Sequence, residues 1–167
     1  YPDVSLEVTS ALSRDLLHPS QRDHFDLILA LVNPDEETEG EVVLEDDVVW
    51  VGDVSHPLVG DNIPLVLAPD GCMYRSRVIE ELKQQTFAWK ITYTNADLTG
   101  LVAAIQQGLG VTALARSSVP KHLISLNHPH LPALGKVNIC LFNQDTQHPV
   151  ISKTLAEFFT TRLKANR

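Results

Sequence analysis

The order of apolar patterns between residues 64 and 115 constrains the fold more than any other feature of the sequence. Five segments with strand-like and helix-like spacing alternate there, over residues 64–68, 74–85, 88–93, 94–107 and 111–115. In the fourth segment the apolar side chains recur at i, i+3, i+4 and i+7, which is typical of a helix with one buried face. A strand-helix-strand-helix-strand order predicts a parallel sheet with right-handed crossovers.

A second set of elements flanks this unit. Residues 4–8 alternate apolar and polar, as in a half-exposed strand, and a short amphipathic helix is predicted over about 10–24, with Ser13 as a possible N-cap. Residues 25–32 are almost continuously apolar, a pattern typical of parallel strands covered on both faces. Later in the chain we predict strands at 41–51 and 137–142, a helix at 149–164, and a crossing between two lobes at 52–64.

Composition indicates a soluble globular protein with no membrane anchor. Hydrophobic residues make up 44% of the 167 residues and charged residues 20%. A bilayer-spanning helix needs about 20 consecutive apolar residues, and the sequence has no such run. Two cysteines, Cys72 and Cys140, match no metal or disulfide spacing and fit a reducing cytoplasm better than a secreted domain.

The sequence offers few residues for catalysis or metal binding. It lacks the Gly-rich phosphate-binding motifs and the nucleophile-elbow motif, and His122, His128 and His130 lie in an irregular, Pro-rich stretch without acids at ligand spacing. We therefore predict no metal, no cofactor and no enzyme activity. Cys72 precedes a helix, where a thiol can become reactive, but packing is the favoured interpretation of a lone cysteine.

Two predicted helices begin where strands of the same unit end, at residues 69–73 and 94–96. In open parallel sheets ligands bind beyond the carboxyl ends of the strands, and free N–H groups at helix N-termini attract anions. Thr94 or Asn95 is expected to cap the second of these helices. Two interpretations stay open: this residue only caps the helix, or it also faces a ligand. Because Asn33 ends the apolar strand of the other lobe, we expect it to lie across an interlobe cleft from Thr94.

Four stretches, in this order, resemble the effector-binding domain of LysR-type transcriptional regulators. They are "YPDVSLEV", "HFDLILALV", "TNADLTGLVAAIQQGLGVTALA" and "NICLF", the last followed by a closing helix. The resemblance covers essentially the whole chain. A fifth stretch, "PLVLAPDGCMYR", is similar to the LrhA-like branch of that family.

The resemblance implies an α/β fold of the periplasmic-binding-protein-like type 2, with mostly parallel sheets. Lobe I would contain residues 1–56 plus 137–167, lobe II residues 57–136, and a small, anionic effector would bind between them. The matching effector contacts are Asn33, Gly71, Cys72, Thr94 and Asn95. It also implies a cytoplasmic homodimer or tetramer that binds promoter DNA through a winged helix-turn-helix. That domain and the start of the effector domain would both precede this sequence.

The main alternative is an extracytoplasmic solute-binding protein with the same two-lobe design, which would deliver a small molecule to a transporter. An enzyme is the third choice. Residues upstream of Tyr1 distinguish the regulator from the solute-binding protein. A regulator would carry a helix-turn-helix there, and a solute-binding protein would carry a signal peptide.

We predict that this chain alone does not shift a DNA duplex in a gel at moderate salt. Residues 1–61 hold 15 acids and 2 bases, a net charge of −13, and the 6 acids and 11 bases of the remainder give +5 without a basic cluster. Phosphate backbones are repelled by the first stretch and find no cationic patch in the second. A tight, sequence-specific shift would overturn this reading.

Overall fold

The computed structural model of the protein describes residues 4–143 and 148–165. Its strands are β1 (Leu27–Val32), β2 (Glu41–Gly52), β3 (Asn62–Leu67), β4 (Ala88–Thr94), β5 (Thr112–Ala115), β6 (Ile124–Ser125) and β7 (Lys136–Asn143). Its helices are α1 (Ser13–Leu16), α2 (Pro19–Arg22), α3 (Met73–Lys83), α4 (Leu98–Gln106) and α5 (Pro149–Ala165), with a 3₁₀ turn at Arg116–Ser118. Strands and helices alternate through the middle of the chain, as the sequence predicts.

The first sheet has the order β1-β7-β2-β5, with β6 beside β2, and its pairings are antiparallel. The expectation of mostly parallel sheets is therefore wrong for this part of the fold. The apolar run at residues 25–32 does indicate a strand covered on both faces. An antiparallel strand covered on both faces has the same composition, so the run reports burial and not direction.

Strand β2 is shared between the two parts of the fold. Residues 41–47 lie along β7, and residues 48–51 lie along β5. At its end β2 also pairs with β6. One continuous strand of 12 residues thus links the sheet that contains β1 to the strands that pack against α3 and α4.

Strands β3 and β4 pair in parallel, and β5 joins them through a parallel bridge between Leu65 and Val111. The Val111 N–H donates to the Pro64 carbonyl at 2.9 Å. Gly110 permits this approach with a φ of +150°, because a Cβ at that position would overlap the Pro64 carbonyl group. The predicted β-α-β-α-β unit is present, and α3 and α4 are its crossovers.

Helices cover both faces of both sheets. On the β1-β7 sheet, buried side chains pack against α1 and its neighbourhood on one face and against α5 on the other. In β3, Leu65 and Leu67 belong to the cluster that includes α3, whereas Val66 belongs to the cluster that includes α4. This alternation is what a strand of period two requires between two helical layers.

The N-terminal region differs from the sequence prediction. Residues 4–8 form no strand, and Leu6 and Val8 are exposed. An isolated extended segment leaves its backbone groups unpaired, and no described strand pairs with this one, so alternation alone does not make it a strand. The predicted helix over 10–24 is two short helices, α1 and α2, separated before Pro19.

Two predicted caps also differ. Ser13 is the first residue of α1 and accepts a hydrogen bond from the Leu31 backbone N–H at 2.9 Å, so its hydroxyl fastens α1 to β1. Asp97, and neither Thr94 nor Asn95, is the N-cap of α4, accepting from the Thr99 N–H at 3.2 Å. No helix in the described ranges is long and apolar enough to cross a bilayer.

Leu65→Ala should lower the free energy of unfolding by about 2–5 kcal/mol, because Leu65 is fully buried where β3, β5 and α3 meet. Urea denaturation followed by circular dichroism measures the change. Val59→Ala is the control, since Val59 is 83% exposed and its replacement should change stability by less than about 0.5 kcal/mol. Equal effects of the two substitutions would contradict the assigned core.

Candidate functional site

A cleft of about 360 Å³ lies between α1, the end of β1 and the N-terminal ends of α3 and α4. The residues that line it are 11–14, 17, 31, 32, 36, 68, 71–74, 96, 98, 101, 114 and 118. The β3 and β4 carboxyl ends open onto it, as the rule for parallel sheets predicts. The two sides of the cleft are therefore built from segments far apart in the chain.

The lining is mainly apolar, with a few polar groups. Leucine, valine and alanine side chains of both sides contribute most of it, and the polar groups come from Ser13, Arg14, Glu36, Tyr74 and Ser118. An apolar cleft with a few convergent polar groups is the usual form of a small-molecule site. No group of three or more His, Cys, Asp or Glu side chains able to hold a metal occurs in the part of the chain that the structure describes.

Tyr74 is a largely buried titratable residue of the cleft wall. Burial raises the pKa of Tyr74 to about 12, and a hydrogen bond with the Ala115 backbone opposes this rise. The side chain is therefore a neutral phenol at physiological pH. It brings a hydroxyl group, and no charge, to the cleft wall.

Gly71 lies on the cleft wall, in the loop that joins β3 to α3. Its φ is +92°, in the left-handed region that favours glycine. The Arg14 guanidinium lies against the open face of Gly71, where a Cβ would overlap it. Because Arg14 is on α1, this contact joins the two sides of the cleft.

Cys72 also lines the cleft, and it is the N-cap residue of α3. Its side chain is buried and makes no capping hydrogen bond. Cys140 is fully buried in β7, and burial raises the pKa of its thiol. Cys140 packs in the core of the β1-β7 sheet, whereas Cys72 lies at the cleft wall.

Asn33 follows β1 at the edge of the cleft, next to the lining residue Val32, but it is not among the lining residues. Its side-chain oxygen accepts a hydrogen bond of 2.6 Å from the Arg77 guanidinium on α3. The same guanidinium donates to the Leu134 carbonyl at 2.8 Å, just before β7. The amide group of Asn33 donates to Glu36 at 3.5 Å. Asn33 thus connects the cleft wall to α3 and to the start of β7.

Thr94 and Asn95 are not among the lining residues, although the next residue, Ala96, is. Thr94 ends β4 and is exposed. Asn95 stabilises the turn into α4, since its side chain accepts from the Asp97 N–H and donates to the Tyr93 hydroxyl, both at 2.9 Å. The structure therefore brings Gly71 and Cys72 together in the cleft, with Asn33, Thr94 and Asn95 beside it.

Sequence reasoning missed Arg14, Glu36 and Tyr74 as cleft residues. Arg14 lies on a helix of four residues, and Glu36 lies in an acidic loop that composition assigns to solvent. Tyr74 had a usable signal, because it follows Cys72 by two positions at the same helix start. His128 and His130 contact each other edge to face, and His130 stacks on Phe87.

The two-sheet fold with its cleft is the type 2 periplasmic-binding-protein-like fold found in bacterial regulatory domains, and comparison with known proteins shows the family. The LysR substrate binding domain family matches residues 1–160. The chain belongs to this family, which is one of transcriptional regulators and not of enzymes. These comparisons do not confirm the LrhA-like branch.

Among curated proteins, the HTH-type transcriptional regulator DgdR of Burkholderia cepacia is 24% identical over 143 residues, 84% of this chain and 48% of the regulator. The chain thus spans about half the length of the curated relatives it matches.

Solved structures share the fold at low sequence identity. The regulatory domain of Synechocystis PCC6803 CcmR in complex with 2-PG has a TM-score of 0.66 and 19% identity, over 98% of this chain and 86% of that one. The bromide ion-bound regulatory domain of HypT from Salmonella typhimurium has a TM-score of 0.68 and 13% identity, over 93% and 80%.

Asn33→Ala and Arg77→Met should each lower the free energy of unfolding by about 1.5–3 kcal/mol, because each breaks a partly buried hydrogen bond to a charged group. The double variant should lose less free energy of unfolding than the sum of the two single losses, by at least about 0.5 kcal/mol. Urea denaturation of the four proteins gives this coupling energy. The exposed Asn127 provides the control, and Asn127→Ala should be additive with Arg77→Met. Additive losses at Asn33 and Arg77 would show that the bond is not formed in solution.

Proposed function

We propose that this chain is the sensing domain of a LysR-type transcription regulator and that its effector binds in the cleft. The observation that supports this most directly is a cavity of about 360 Å³ whose walls come from α1 and β1 on one side and from α3 and α4 on the other. Gly71 and Cys72 would contact the effector directly. Asn33, Thr94 and Asn95, which lie beside the cleft, would contact it at the rim or hold the rim in place.

The rest of the proposal concerns the whole regulator. Residues 1–56 plus 137–167 would move as one lobe and residues 57–136 as the other. The effector would be a small molecule of the cytoplasm, and the chain would assemble as a homodimer or tetramer. Promoter DNA would be bound by a helix-turn-helix domain outside this sequence, in keeping with the regulators that match it.

Signalling requires that the effector bind one arrangement of the lobes more tightly than another. A ligand with equal affinity for both arrangements shifts no equilibrium, however tightly it binds. The Arg14–Gly71 contact and the Asn33–Arg77 hydrogen bond both cross between the proposed lobes. They are the contacts that would change with lobe geometry, so differential affinity would arise there.

The alternative of an extracytoplasmic solute-binding protein is not favoured. The matching family and the curated relatives are transcription regulators. The fold alone does not separate the two functions, because fold and function are only loosely connected.

A panel of small metabolites, charged and neutral, should contain a compound that stabilises the 167-residue chain. At a hundred times its dissociation constant a ligand stabilises by about 2.7 kcal/mol, which raises the unfolding temperature of a domain of this size by about 5–10 °C. Ala96→Trp, which fills the cleft, should abolish the shift. Ala88→Trp, at an exposed position of β4 outside the cleft, should retain it.

Both tryptophan variants must first unfold cooperatively without ligand, as differential scanning fluorimetry will show. A shift that survives Ala96→Trp would place the binding site elsewhere. No shift with any compound would contradict small-molecule sensing by this domain.

A further inference from the structure

Arg14 is the only cation among the described residues that line the cleft, and Glu36 is the only acid. The remaining lining is largely hydrocarbon. Among the described lining side chains, these two are therefore the ones that can pair with a charged group of a ligand, and an unpaired charge in apolar surroundings is costly.

Arg14 is held over the cleft and is weakly paired. Its guanidinium rests against Gly71, in space that any other residue at that position would fill with its Cβ. Its described ion pair is with Asp15 at 3.3 Å, between side chains that are 61% and 55% exposed. Exposed pairs of this kind contribute little to stability, so the guanidinium is available to a ligand anion at small cost.

We propose that Arg14 determines the charge specificity of the effector site, and that the site takes a monocarboxylate with an apolar chain. The carboxylate would accept paired hydrogen bonds from the guanidinium fork, and the chain would lie along the hydrocarbon lining. This inference rests on the proposed sensing function and adds the chemical class of its ligand.

Glu36 restricts that class further. It lies in the loop after β1 and accepts a long hydrogen bond of 3.5 Å from Asn33. A second carboxylate on the ligand would meet this acid, or would lie in hydrocarbon without a partner. Dicarboxylates should therefore bind more weakly than monocarboxylates of the same length. A zwitterion is the competing possibility, since an ammonium group would pair with Glu36.

Five straight-chain probes distinguish a monocarboxylate site from a dicarboxylate, zwitterion or cation site. They share a six-carbon chain and differ in the end groups that set their charge. They are hexanoate, hexanamide, adipate, norleucine and hexylamine. Isothermal titration calorimetry on the 167-residue chain should give hexanoate the lowest dissociation constant, at least tenfold below that of hexanamide, since a charge-assisted hydrogen bond is worth about one decade. Hexanoate binding should weaken as salt rises, because Arg14 is solvent-exposed.

Three variants test the role of Arg14 itself. Arg14→Met keeps an apolar stem and removes the charge, so hexanoate affinity should fall about tenfold or more while hexanamide affinity stays the same. Arg14→Lys should lie between the wild type and Arg14→Met, because lysine keeps the charge and loses the fork. Arg162→Met is the matched control, since Arg162 is an exposed arginine near the end of α5 outside the cleft, and it should change neither affinity.

Equal binding of hexanoate and hexanamide, or full hexanoate affinity in Arg14→Met, would overturn the proposal. Tighter binding of norleucine or adipate than of hexanoate would overturn the monocarboxylate assignment. If none of the five probes binds, the proposal also fails. The sensing function is judged separately, because a neutral or cationic hit from the wider panel, lost in Ala96→Trp and kept in Arg14→Met, would leave that function intact.

Discussion

The backbone pairing of β2 is the constraint on which the rest of the structure depends. Its first seven residues belong to the ladder with β7, and the next four belong to the ladder with β5. Side chains of the second part enter both clusters around β3, with Trp50 on the α3 side and Val51 on the α4 side. A single strand therefore fixes the distance and the orientation between the β1 sheet and the helices whose N-termini face it.

The cleft follows from that arrangement. The carboxyl ends of β1 and β3 lead to loops on opposite sides of one gap, and the first turns of α1, α3 and α4 border it. Near the cleft, Arg77 connects α3 to Asn33 and to the Leu134 carbonyl through a single guanidinium. Arg77 thus joins the two sides by hydrogen bonds near the cleft, whereas Arg14 joins them by its contact with Gly71 and also lines the gap.

Sequence reasoning predicts the central β-α-β-α-β unit well, because each of its segments carries its own period and its own helix start. It fails where structure depends on a partner distant in the chain. The direction of β1 is set by β7, more than 100 residues away, and the apolar run of β1 reports burial alone. The segment 4–8 has strand-like alternation but no described neighbour to pair with.

The same distinction applies to the cleft. Gly71 and Cys72 are predictable because they occupy a loop between a strand and a helix, where the fold rule applies directly. Arg14 is not, because only the three-dimensional arrangement brings α1 over Gly71. Asn33 was predicted at the cleft from its position after a strand, but its bond to Arg77 depends on a contact across 44 positions of sequence.

Gly110 and Gly71 lack space for a Cβ for two different structural reasons. At Gly110 the space for a Cβ is taken by the backbone of Pro64, whose carbonyl accepts the Val111 N–H where the chain enters β5 beside β3. At Gly71 it is taken by the Arg14 side chain. A glycine at 110 is therefore required by the backbone pairing of the sheet, whereas a glycine at 71 is required by the position of the side chain that we propose to bind the ligand.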